Sequence, residues 1–394
     1  MLQADSSPSS GPSSPSAPAA ASARFPDTYA EARTAWLAEV QRLGGEWQGF
    51  QHPGLGPDGE VLWMDAAWFG EPAARQVLVV ACGTHGIEGY AGSAVQTAWL
   101  AQGGPANPPA DTAVLLIHAV NPWGFAHRQR VTEDNVDLNR NFRHHGTTPT
   151  PDNPGYDELH PQLALAHWDE EEIARAFAAM DAYRERMGEK AFSDAFNGGQ
   201  YSRPDGIFFG GTSPCWANTT LRGLLRSRLA GARACLFVDL HTGIGPYGEP
   251  FLINVDPPAS PARELALSVW GEEALSGKGS THKALATFQG LLLDAFADEL
   301  PHCRTSAVAI EFGTRERRVM QRAHLALMWL RRQTGDAAAT PAARAARAEY
   351  AEAFMPSDHG WRDSVMRAGT ALCRQAWSAV ADGQLVGFMP VERT

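Results

Sequence analysis

The chain has 394 residues, 44% of them hydrophobic, and sets 33 Lys plus Arg against 44 Asp plus Glu for a formal charge of -11. So acidic a field excludes a nucleic-acid polyanion as the main partner, while leaving room for an anionic small substrate held by a few pocket arginines. The 5 cysteines (Cys82, Cys215, Cys235, Cys303 and Cys373) are odd in number and form no CxxC pair, which argues against a disulfide framework and a cysteine zinc site.

Residues 1–23 hold neither Lys nor Arg and no apolar segment, so they fail as a secretory signal. Their Ser, Pro and Ala bias buries too little apolar surface to order itself, and residues 1–24 are expected to form a disordered tail. No apolar run reaches the roughly 18 residues of a membrane span, so the expected address is the cytoplasm, with no membrane partner. Residues 28–43 place Tyr29, Ala32, Trp36, Val40 and Leu43 at helical spacing. Residues 61–69 and 76–82 read as strands, and QVLVVAC is continuous enough to be buried on both faces. Cys82 and Cys235 sit in such runs and act there as small core hydrophobes. A helix over 93–101 and a strand over 113–120 follow. Residues 144–166 read as a long loop, and an amphipathic helix with acidic residues in its first turn comes next. Strands over 235–241, 251–255 and 306–312 continue the series, and beyond 316 the pattern is helical, with covering helices over 344–353 and 361–381. Alternation of this kind predicts an α/β fold with a mixed, largely parallel sheet covered by helices on both faces. No internal repeat or linker divides residues 25–394.

Four patches fall at or just after the C-terminal ends of predicted strands, where open α/β sheets bind ligands. In CGTHGIEG, His85 and Glu88 bring an imidazole and a carboxylate to one side of a turn. Zinc takes such donors at roughly 2.0–2.2 Å. In FVDLHTG, His241 ends an apolar strand and completes a His2Glu set, with Asp239 placed to orient an imidazole. In AIEFGT, Glu311 is a carboxylate too costly to bury unless paired, for instance with Arg315, or used for proton transfer. The fourth patch, 121–142, presents Arg128, Arg130, Asn139 and Arg140, whose guanidinium forks suit a carboxylate or an oxyanion.

The order of these patches, with DLNRNF as the most specific piece, resembles the zinc carboxypeptidase superfamily. That superfamily includes carboxypeptidase A-like enzymes and the succinylglutamate desuccinylase and aspartoacylase deacylases. The likeness spans roughly residues 76–315, and QRVTEDNVDLNRNF and NGGQYSRPDGIFFGG look like an uncharacterised bacterial branch. The resemblance implies an eight-stranded mixed sheet between helices and makes 25–394 one catalytic domain. It also implies zinc on His85, Glu88 and His241, and Glu311 as general base. Arg130 would polarise the scissile carbonyl, and Asn139 with Arg140 would hold the substrate's terminal carboxylate. The mobile tyrosine of classical carboxypeptidases has no clear match, since Tyr247 lies too near His241 and Tyr201 is an alternative rim residue. The expected activity is zinc-dependent hydrolysis of an amide beside a free carboxylate, in a small peptide. An N-acyl amino acid deacylase is the enzymatic rival, and a non-catalytic binding protein on the same fold is the rival of another class.

Overall fold

A computed structural model describes residues 25–276 and 286–388, so the expected tail over 1–24 lies outside the described residues. The strands are β1 (Glu46–Leu55), β2 (Val61–Gly70), β3 (Gln76–Cys82), β4 (Thr112–His118), β5 (Ala234–Gly243), β6 (Pro250–Asn254) and β7 (Arg304–Gly313). They form one sheet in the order β1-β2-β4-β3-β5-β7-β6. Strands β4, β3, β5 and β7 run parallel, while β1 against β2, β2 against β4 and β6 against β7 are antiparallel. The α/β class holds. The described residues give a 7-stranded sheet instead of the expected eight, with its parallel part at the centre and antiparallel strands at both flanks.

Burial explains the central strands. Every residue of β3 is buried, with Leu78, Val80 and Cys82 in one apolar cluster and Val77, Val79 and Ala81 in another. Period-2 alternation thus supplies two cores from one strand. On the first face lie Trp36, Trp99 and Trp361, from the helices Tyr29–Arg42, Gly89–Ala101 and His359–Ala381. The second face packs on Leu221, Leu224 and Leu225 of helix Trp216–Arg228 and on Phe296, which stacks 4.6 Å from Phe237. Each such side chain contributes ~1.5–3 kcal/mol when fully buried.

A third apolar cluster gathers Tyr156, Phe177, Phe192, Trp329 and Phe354, from five helices between Pro154 and Phe354. One of them, Glu170–Met187, starts at Asp169, whose side chain accepts from the Glu172 amide, and stops at Gly188 with φ of 86°. This is the predicted amphipathic helix, with acids in its first turn and Arg184 and Arg186 in its last, each complementing the helix dipole. The expected loop over 144–166 contains helix Pro154–Leu163, capped by Asn153. No helix among the described residues is long and apolar enough to cross a membrane.

Candidate metal centre

Past β3, the chain turns through Gly83 at φ +70°, where a Cβ would stand 2.6 Å from Ala119 Cβ. His85 then caps the short turn Gly86–Glu88. Gly86 is required there, because a Cβ would reach 2.0 Å from the Gly124 carbonyl carbon. Its amide donates to Arg130 O (3.2 Å) and that of Ile87 to Gln129 O (3.0 Å), so the His-x-x-Glu turn is stitched to the loop that carries Arg130. From the other side, His241 of β5 stands in register beside Glu311 of β7.

Glu88 is the hub. Its Oε1 lies 3.0 Å from His85 Nδ1 and its Oε2 lies 2.8 Å from His241 Nδ1. The far nitrogens meet aspartates: His241 Nε2 is 2.7 Å from Asp239 Oδ2, and His85 Nε2 is 3.3 Å from Asp137 Oδ1. Asp239 also accepts from Thr84 Oγ1 at 2.9 Å. Burial pushes the Glu88 carboxyl up, but the charge of His85 and hydrogen bonds from both histidines bring it well below the carboxylate range. Asp137 follows the same logic, held low against its burial by Arg130 and His85. For His241, burial favours the neutral ring, yet Asp239 and Glu88 raise its pKa well above the usual histidine value.

This donor set fits zinc. One ligand atom from each of His85, Glu88 and His241 lies within 4.8 Å of the others, and all three residues are buried. With Nε2–H donated to Asp239, the His241 ring would turn an Nδ1 lone pair inward, the pattern in which a carboxylate fixes a metal-binding tautomer. His2Glu is a set that leaves a coordination position for substrate or water.

Arg130 lies deeper than a rim residue. Its Nε donates to Asp137 Oδ2 (2.8 Å), Nη1 to Glu88 Oε1 (3.0 Å), and Nη2 sits 2.8 Å from His85 Nε2. A cation at the centre would share Glu88 with this guanidinium. Tyr350 Oη accepts from the Arg130 amide at 2.7 Å. Burial lowers the guanidinium's pKa and Asp137 and Glu88 more than restore it.

Asn139 and Arg140 line the same cavity, of about 470 Å³, as His85, Arg130, His241 and Glu311. Arg140 does not present a free fork. Nη1 donates to Asn139 O and Nη2 to Asn197 O, each at 2.6 Å, leaving the buried Nε without a partner. The guanidinium is packed between Phe208 and Phe288, with ring centroids at 5.4 and 4.7 Å. Asn139 Oδ1 accepts from the Leu292 amide at 3.0 Å. Glu311 is 9% exposed, accepts from the Ile244 amide at 3.3 Å, and has its pKa raised by burial and the charge of Glu88 against that of His241. Its structural alternative is not realised: Arg315 pairs with Glu352.

Three sequence candidates lie elsewhere. Arg128 donates to Asp27 O at 2.6 Å and stacks on Tyr90. Tyr201 donates to Arg140 O at 2.6 Å, and Tyr247 is 45% exposed beneath Arg315. Sequence reasoning assigned no role to Asp137, the first residue of DLNRNF, or to Tyr350, Phe208, Gln321 and His324. Asp137 carried a signal, since it stands two residues before Asn139, as Asp239 does before His241.

Residues 25–368 match the family described as "Protein of unknown function (DUF2817)". None of the curated proteins matches this sequence. Among solved structures, carboxypeptidase A from Helicoverpa armigera is 12% identical over 90% of this chain and 73% of its own, with a TM-score of 0.46. Bovine thrombin-activatable fibrinolysis inhibitor, solved with tick carboxypeptidase inhibitor, is 13% identical over 91% and 98%, at 0.42. Succinylglutamate desuccinylase from Chromobacterium violaceum is 17% identical over 71% and 68%, at 0.33. Both branches that the motifs resemble are represented, and at such scores the chemistry rests on this chain's own side chains.

Proposed function

We propose that this chain, which belongs to the DUF2817 family, is a zinc-dependent hydrolase that cleaves an amide bond beside a free carboxylate. The observation that carries the reading is the convergence of His85, Glu88 and His241 on one buried centre, with Glu311 on the neighbouring strand at the same cavity. Zinc, when bound, supplies the Lewis acidity that makes water a nucleophile near neutral pH. Glu311, its proton affinity raised by burial, takes a proton at its carboxylate from the attacking water and passes it to the leaving nitrogen. Arg130 carries positive charge to where the carbonyl oxygen becomes anionic, held in place by Asp137. Arg140 attracts the substrate's carboxylate by charge, its Nη groups being already taken by backbone carbonyls and its Nε buried. Asn139 supplies an amide nitrogen beside it.

Zinc content and turnover of C-terminally free peptides test this together. Wild type is expected to hold about one zinc per chain, and Glu311→Gln to keep it while losing turnover by ~10²–10⁴-fold. Near-native turnover in the variant removes Glu311 from the role of general base. A folded wild type that takes up no metal ends the reading.

A further inference from the structure

Helix Arg317–Leu330 presents two polar side chains, Gln321 and His324, one turn apart to the wall of the same cavity. They are 4% and 9% exposed, and neither has a hydrogen-bond partner among the described residues. Around them the wall is aromatic: His324 packs against Phe208 at 4.6 Å, Phe354 at 5.4 Å and Phe196 at 6.4 Å. Buried polar groups are almost always satisfied. Here the cavity is the place where satisfaction has to come from.

The chemistry of the pair limits what it can meet. Burial pushes the His324 imidazole down to about 3, so at neutral pH the ring is uncharged, with one donor and one acceptor. Gln321 likewise offers both. Of the arginines that line the cavity, Arg315 and Arg317 are paired with Glu352 and Glu189, while Arg130 and Arg140 pack on Phe208 at 5.2 and 5.4 Å and serve an anionic group. A second carboxylate at Gln321 and His324 would find no charge on the pair itself to match it. An uncharged group with both a donor and an acceptor, flanked by apolar atoms, would match the pair and the phenylalanines around it. A peptide group is such a group.

We propose that Gln321 and His324 form a neutral hydrogen-bonding subsite for a second amide of the substrate, so that acylated dipeptides and longer peptides are preferred over simple N-acyl amino acids. This rests on the hydrolase reading above and names its substrate class. The test uses the zinc-loaded enzyme and two uncleavable ligands. One is acetyl-alanyl-phenylalanine with a ketomethylene in place of the Ala–Phe amide; the other also has its acetyl amide replaced by a saturated two-carbon link. Binding is measured by calorimetry on wild type, Gln321→Leu, His324→Phe and His324→Gln. Wild type is expected to bind the amide-bearing ligand about tenfold more tightly. That preference should fall to within twofold in Gln321→Leu and His324→Phe, and survive in His324→Gln, which keeps a donor and an acceptor. An equal preference in all four proteins, no preference in wild type, or no binding of either ligand overturns the subsite. Wild-type turnover of acetyl-alanyl-phenylalanine and of acetyl-phenylalanine is followed separately. Ligand preference without turnover of either compound would leave the subsite standing and remove the hydrolase reading.

Discussion

Two parallel strands that flank β3 each carry a buried histidine at the C-terminal end, and the two rings have opposite fates. His118 closes β4, stacks on Trp36 at 5.0 Å and, among the described residues, has Ser93 Oγ at 2.8 Å as its polar partner, leaving its Nδ1 without one. Burial there pushes the imidazole down to about 3. His241, near the end of β5, is just as buried but lies between Glu88 and Asp239, and its pKa rises. Strand-end placement brings a ring to the edge of the sheet; the carboxylates around it decide whether that ring is core or ligand. His118, sealed among aromatics away from the cavity, is a packing residue with a polar penalty. Between two carboxylates a histidine becomes a donor of fixed orientation.

The sharpest way to break this contrast is to remove each ring. His241→Ala is expected to lose stoichiometric zinc, whereas His118→Phe, folded, keeps it; elemental analysis of both separates them, and equal zinc content would erase the distinction. A smaller effect comes from the carboxylate alone. Asp239→Asn should leave the ring in place but weaken zinc ~10–100-fold in a chelator competition. Unchanged affinity would mean that Asp239 serves the fold through Thr84 and not the centre. Smaller again is the acid response of His118. Its folded pKa, about 3, lies below the unfolded value, so its contribution to stability is complete above about 6.5 and is lost as pH falls from there toward 3. The loss has a limiting slope of ~1.4 kcal/mol per pH unit, to which His324, also near 3, adds its own. Denaturant titrations of His118→Phe between pH 6.5 and 4.5 should therefore show a flatter decline than wild type. Parallel curves would mean that His118 titrates alike in both states.

Much of this was legible in the sequence because it was written locally. The runs VLVVAC, ACLFV and AVAI within β3, β5 and β7 are apolar, as strands buried on both faces must be. The donors stand where those runs stop. Strand β1 was not foreseen: EWQGFQHPGL contains Gly49 and Pro53, and its burial is too slight to leave an apolar signature. Helix Pro154–Leu163 was foreshadowed only by Asn153 before Pro154, a capping signal in an otherwise loop-like stretch. What the sequence could not convey was occupancy. Arg140 reads as a free fork until the fold brings the Asn197 carbonyl, 57 residues on, to its Nη2. Gln321 and His324 look like two more polar positions beside the arginines of their helix until the cavity appears next to them.

Helix Pro341–Phe354 reaches across to hold both halves of the centre. Tyr350 Oη accepts from the Arg130 amide, and the Phe354 carbonyl accepts from Thr242 Oγ1 at 2.6 Å, next to His241. During synthesis, then, the two earliest donors leave the ribosome more than 150 residues before His241 and more than 260 before Tyr350. Domains fold as units as they emerge. A nascent chain halted before residue 341 therefore carries every donor to the centre and still lacks the brace that fixes the arginine loop against β5.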